Sequence, residues 1–214
     1  MWGGWDGHEP DKAADIFARL LRGEGFDVRI RDSLEAFDDP CALETLSLIV
    51  PVWTMGKITD AQCKNVCGAV AAGVGLAGCH GGMCDSFRDN TDWQFMTGGQ
   101  WVAHPGNEIR YTIKIARPPH EITQGISDFE VVTEQYYMHV DPAVKVLATT
   151  RFPTVDGPHA PNGPVEMPVV WTKLWGLGRV YYNASGHRAA LLDDEPVKTL
   201  LRRGLVWAAA TRKK

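Results

Sequence analysis

The chain has 214 residues, of which 44% are hydrophobic and 22% charged, with a formal net charge of −4. That balance fits a single globular domain over 1–214 with a sizeable core. It supplies no reason to expect nucleic acid or an anionic membrane as a partner. No apolar run reaches the roughly 18–20 residues needed to span a bilayer. The opening Met1-Trp-Gly-Gly-Trp-Asp lacks the basic and apolar regions of a signal peptide, so the expected location is cytoplasmic. The five cysteines form no C-x-x-C pair and read as reduced thiols.

In chain order, a doubly wound fold should open with a strand, yet only Met1 and Trp2 precede the Gly3-Gly4 turn. Either the first strand is a stub or residues ahead of it lie outside this numbering. Ala13, Ile16, Phe17, Leu20 and Leu21 line one face of a predicted helix over 9–24. Phe26–Ile30 alternates like a strand, and Leu46–Trp53 is the continuous apolar run of a strand buried on both faces. A helix over 59–72, with Thr59 as N-cap and Gly73 as stop, leads into a strand over 74–79. Strands are expected at 111–116, 135–140, 144–150, 167–172 and 179–183, then a helix over 195–210. The stretch 152–164 carries four prolines and reads as a loop lying over or beside the binding site. Two βα units in the first half imply right-handed crossovers and a mostly parallel α/β sheet with the 74–79 strand at its centre.

Ligands of open α/β sheets bind beyond the carboxyl ends of the strands. His8, His80 and His187 each follow a predicted strand, and Glu134 lies just before Gln135-Tyr-Tyr. Gly78-Cys79-His80-Gly81-Gly82 has the form of a strained elbow that exposes one side chain over the next helix. A hydrolase would place serine or cysteine there, and here the exposed residue is histidine, a metal ligand or general base. His80, His187 and Glu134 are the candidate catalytic groups. With His8 they form a histidine-plus-carboxylate set suited to a divalent metal, zinc or manganese. The same groups could exchange protons without a metal. His8, Trp53, Trp171 and Tyr136 are the candidate substrate-binding residues, with Trp5 and Trp175 also near the expected rim, because an indole face packs well on a pyranose ring. His104, His120 and His159 fall in loops and are not counted among the candidates. Cys63, Cys67 and Cys79 read as core thiols, while Cys84 sits at a helix start that could activate it.

Gly3-Gly-Trp-Asp-Gly-His8-Glu-Pro, Gly75-Leu-Ala-Gly-Cys-His80-Gly-Gly, Thr133-Glu-Gln-Tyr-Tyr-Met-His139 and the stretch from Pro168 to His187 together resemble the trehalose-utilisation (ThuA-like) family. The resemblance spans nearly the whole chain. It implies a flavodoxin-like, class I glutamine amidotransferase-like three-layer fold and a role in carbohydrate metabolism. Amidotransferases carry cysteine in the elbow and a late His-x-Glu pair. This chain has His80 in the elbow and Arg188-Ala189 after His187, so glutaminase activity is not implied. The leading expectation is a sugar-processing hydrolase, isomerase or lyase acting on a small sugar or sugar derivative. The alternatives are a non-catalytic sugar-binding or interaction module and a thiol hydrolase using Cys84. Self-association of the chain is left open.

Overall fold

The computed structural model describes residues 1–212. Its strands are β1 (Trp2–Gly4), β2 (Leu48–Ile49), β3 (Val52–Thr54), β4 (Gly75–Cys79), β5 (Gly99–Ala103), β6 (Glu108–Ile115), β7 (Phe129–Glu134), β8 (Tyr137–Val140), β9 (Lys145–Phe152), β10 (Val165–Trp175) and β11 (Gly178–Asn183). Its helices are α1 (Pro10–Gly23), α2 (Pro40–Glu44), α3 (Asp60–Ala71), α4 (Gly81–Cys84), α5 (Thr91–Thr97) and α6 (Val197–Ala209).

Local signals place the helices. Proline begins α1, where a missing N–H costs nothing, and its apolar face buries Ile16, Phe17, Leu20 and Leu21. Thr59 and Gln62 form a reciprocal capping box at the start of α3. The apolar run over 46–53 is interrupted at Pro51, which has no N–H for a ladder, so it forms two short strands. β2 pairs with β4, and β3 pairs with β1, both in parallel. The alternating residues 26–30 are not a strand; just beyond them the Arg31 carbonyl accepts from the Trp2 N–H of β1 (2.8 Å).

The main sheet has seven strands in the order β2-β4-β11-β10-β9-β6-β7. β2, β4 and β11 run parallel, and the other four junctions are antiparallel. The expected mostly parallel sheet is therefore a mixed one, and β4 lies next to its edge strand rather than at its centre. The cause is connection length. Parallel strands need a crossover, which α3 and α6 flank in the first part of the sheet, whereas β10 and β11 are joined by Gly176-Leu177 alone and must reverse. Gly176 takes φ +58° in that turn. Around β4 and β11 the fold has three layers. Tyr181 packs on Gly204 of α6, while Gly178 packs on Val70 of α3 across the opposite face. Trp93, Trp171, Tyr181 and Tyr182 are fully buried between these layers. No helix among the described residues is long and apolar enough to cross a membrane.

Candidate functional site

The parallel strands end together at one edge of the sheet, and the first side chain beyond β4 is His80. Its backbone sits at φ 48° and ψ −140°, the strained elbow expected from the flanking glycines. Gly81 is required there: a Cβ at that position would stand 2.5 Å from Cε1 of His8. Two contacts fix the His80 imidazole. Its Nδ1–H donates to the Ala184 carbonyl (2.7 Å), and its ring stacks on Tyr136 with centroids 4.0 Å apart. Because a carbonyl can only accept, Nδ1 carries the hydrogen and Nε2 is left to face Glu134 Oε2 at 3.1 Å.

The other members arrive from three separate segments. His8 follows β1 in a single turn, and its Nδ1 lies 2.7 Å from the Thr54 hydroxyl at the end of β3. Glu134 is the last residue of β7, opposite Glu108 of β6. His187 follows β11. Its Nδ1 approaches Glu134 Oε1 at 3.3 Å without the alignment of a hydrogen bond, and its Nε2 lies 3.1 Å from Glu108 Oε1. One donor atom from each of His8, His80, Glu134 and His187 lies within 4.8 Å of the others, and all four residues are buried.

Burial governs the charges. It pushes His8 down to about 3, with His80 and His187 adding to the effect. Burial also lowers His80, outweighing the pull of Glu134. Burial alone would raise the Glu134 carboxyl, but the close approach of His187 and His80 holds it below its usual value. At neutral pH the cluster therefore sets a carboxylate against the lone pair of a neutral imidazole. Two acceptors 3.1 Å apart repel unless a proton or a cation lies between them.

Several expectations need correction. Trp171 is not a rim residue: it is completely buried, its indole N–H donates to the Thr97 carbonyl, and it packs on Tyr182. Trp53 alternates with Thr54 along β3, so when Thr54 faces His8 the indole turns away and covers Gly3 and Gly56. Trp175 donates to the Cys67 carbonyl, at the end of β10 that turns into β11 and away from the site. Cys84 is buried, and burial pushes its thiol far above the ordinary value, which disfavours the thiolate a thiol hydrolase needs. Trp5 does stand at the site. It is 44% exposed, with its ring 4.7 Å from His8 and 6.5 Å from His187.

Three neighbours were not among the sequence candidates. His104 brings Nδ1 to 3.7 Å from Glu134 Oε1, and its ring lies near both Trp101 (5.5 Å) and Tyr136 (6.1 Å). Glu108 also accepts from Arg188 Nε at 2.7 Å. Asp85, buried beside the elbow, holds Arg88 through two hydrogen bonds (2.5 and 2.9 Å), and the guanidinium lies over Trp101. The proline-rich loop borders this wall: the Thr154 N–H donates to the Gln135 side chain, and Val155 lies against Gly106.

The sequence profile of the family described as "ThuA: Trehalose utilisation" matches residues 1–208. The chain belongs to the ThuA family. Comparison with curated proteins finds no match. Solved structures similar to this ThuA chain include a ThuA-like protein from Bacteroides uniformis, 18% identical with a TM-score of 0.76, over 96% of this chain and 86% of that one. Another from Parabacteroides merdae is 18% identical with a TM-score of 0.72, over 93% and 85% of the two chains. A protein of Salmonella typhimurium described as cytoplasmic is 16% identical with a TM-score of 0.68, over 91% and 86%. At these identities the likeness is one of fold.

Proposed function

We propose that this ThuA-family chain is a cytoplasmic enzyme of carbohydrate metabolism that processes trehalose, a related glucoside or its keto derivative. Its centre is a divalent cation, zinc or manganese, held by His8, His80, Glu134 and His187. The observation that carries this reading is the pairing of His80 Nε2 with Glu134 Oε2. Nδ1 of His80 is held by the Ala184 carbonyl, Nε2 faces the carboxylate 3.1 Å away, and a proton or a cation between the two joins the pair. Ligands at roughly 2.0–2.2 Å in tetrahedral array stand about 3.4 Å apart. The spacings to Glu134 here run from 3.1 Å for His80, through 3.3 Å for His187, to 4.0 Å for His8. Ala184 and Thr54 support the outer nitrogens of two imidazoles, as metal-bound histidines require.

Such a cation would polarise a sugar carbonyl or acidify a bound water. The chain's own groups do the rest. Trp5 offers an indole face to a sugar ring at the mouth, and the Glu108–His187 pair can pass a proton to the edge of the site. The ligand is then a small sugar rather than nucleic acid or a lipid surface.

Elemental analysis of the purified protein tests the centre. We expect about one equivalent of zinc or manganese, lost in His80→Ala and Glu134→Gln. Protein that takes up neither metal on reconstitution would remove the metal from this reading. Turnover of glucosides and their keto derivatives by the loaded protein tests the enzyme. Sugar binding without turnover would make the chain a binding module.

A further inference from the structure

Outside the His/Glu site, α3 brings two soft ligands together. Cys63 and Cys67 stand one helical turn apart, so their side chains share a face of the helix. Their sulfurs lie 3.9 Å from one another, and Cys63 Sγ lies 3.3 Å from Asn90 Oδ1. An amide oxygen only accepts, so the Cys63 S–H donates to Asn90 and the Cys67 S–H donates to the Cys63 sulfur. The same Asn90 oxygen accepts from the Trp93 N–H and caps α5, which fixes its position. Cys63 is buried, whereas Cys67 keeps part of its surface in solvent.

Two thiols in contact can pack a core, form a redox couple or ligate an ion, and geometry separates the three. Packing requires neither an amide oxygen aimed at a sulfur nor a thiol at the surface. A disulfide needs Cβ atoms about 3.5–4.5 Å apart, whereas positions i and i+4 of a helix hold them about 5–6 Å apart. Closing that bond would distort α3, which is tied to the sheet here: the Trp175 indole N–H donates to the Cys67 carbonyl (3.1 Å), and Gly178 lies on Val70. An ion shared by the two sulfurs asks for no such movement. With metal–sulfur bonds of about 2.3 Å, trigonal to tetrahedral angles set the sulfurs about 3.8–4.0 Å apart. The observed 3.9 Å falls in that range.

The donor set selects the ion. Thiolates favour Cu(I) and zinc over hard cations. Structural zinc takes four protein ligands, and no imidazole, carboxylate or further thiol completes this set: among the described residues, the group of three or more such ligands is the His/Glu cluster. Cu(I) is satisfied by two thiolates and a weak third donor. We propose that Cys63 and Cys67 form a Cu(I)-binding site, with the Asn90 side-chain oxygen as third donor and Cys67 as the point of entry. A Cu(I) ion enters as two thiol protons leave, and the copper keeps its oxidation state. The inference is independent of the sugar chemistry and of the cation proposed above.

The test titrates Cu(I) into the full chain, freed of metal and kept under nitrogen, against the coloured Cu(I) chelator bicinchoninate. The native chain should withdraw about one equivalent and show thiolate-to-copper absorption in the ultraviolet. Cys63→Ser and Cys67→Ser should each weaken uptake by more than about tenfold, since even the loss of an outer partner of a ligand costs that much. His80→Ala and Cys41→Ser should keep it. A native chain that leaves the copper with the chelator overturns the proposal, as does full uptake by both serine variants at Cys63 and Cys67. If those variants do not fold, labelling of the native chain decides instead: bound Cu(I) should shield Cys67 from N-ethylmaleimide, and equal labelling with and without copper refutes the site. A Cys63–Cys67 disulfide formed under glutathione disulfide, with no Cu(I) uptake by the reduced chain, would also overturn it and make the pair a redox couple.

Discussion

His80 combines a positive φ with a buried, doubly anchored imidazole, and substitutions separate the two properties. His80→Ala should lose the proposed cation and keep the backbone strain. His80→Gly should lose the cation and recover about 1 kcal/mol or more of stability. Urea unfolding of the two variants checks this, and equal stabilities would show that the elbow is unstrained. His8 supplies a pH test. It protonates near pH 3 when folded and near its ordinary 6.5 when unfolded. Between those values the unfolded chain binds more protons. Stability is therefore fully present above about 6.5 and is lost on acidification, by at most about 1.4 kcal/mol per pH unit from this group. Tm of metal-free protein should fall from pH 7 to pH 4, and His8→Gln should flatten that slope. Parallel slopes in the two proteins would refute the assignment. Cys84, buried beside Tyr182, should resist iodoacetamide in the native state and react only on unfolding.

Among the elements, α3 is the one whose start is most completely determined by local chemistry, and Thr59→Ala should cost about 1 kcal/mol in equilibrium unfolding. A loss below a few tenths would mean that packing against the sheet holds that end without its cap. α1 was readable from its apolar face, α3 from its cap and stop signals and α6 from its apolar face, and β4 and β11 because continuous apolar runs mark strands covered on both faces. Phe26–Ile30 has the alternation of a strand but joins no sheet among the described residues, and pairing is not written in a single segment. β5 went unread because only Gly99 of its five residues is buried, and β7 because it is short and holds two glutamates among its six residues. The mixed sheet was missed for a related reason: the first half of the chain displays crossovers, while the reversals depend on short links in the second half. At the site, His80 was readable from its glycines, and His8 and His187 from their places after strands. His104 and Glu108 carry no local signature and are brought to Glu134 only by the pairing of β6 with β7 and the loop that precedes β6.

For the molecule as a whole, the buried Trp171 joins layers rather than binding ligand. Trp171→Ala should cost about 3–5 kcal/mol without a selective effect on sugar affinity. Calorimetry together with sugar titration of the folded fraction would check this, and a weakened affinity at unchanged stability would return the indole to the binding site. A cation on the four clustered residues would also act on the whole fold, because it binds the native arrangement and not the open chain. Stability should then rise by about 1.4 kcal/mol for each tenfold excess of free metal over its Kd. A Tm that does not move with zinc or manganese would argue against tight binding.

The dispersal of those residues along the chain has a consequence for biosynthesis. His8 leaves the ribosome first and His187 last, 179 positions later. At about 5–20 residues per second the interval is roughly 9–36 s. Throughout it the nascent chain displays at most three of the four donors. β11, which delivers His187, must also insert between β4 and β10 before the last donor reaches its place. The centre therefore cannot be completed by a fragment, and a metal taken up early would meet an open, weakly chelating set from which it can exchange. On the proposed reading, loading would be deferred until translation is nearly over, with the order of the strands acting as the timer.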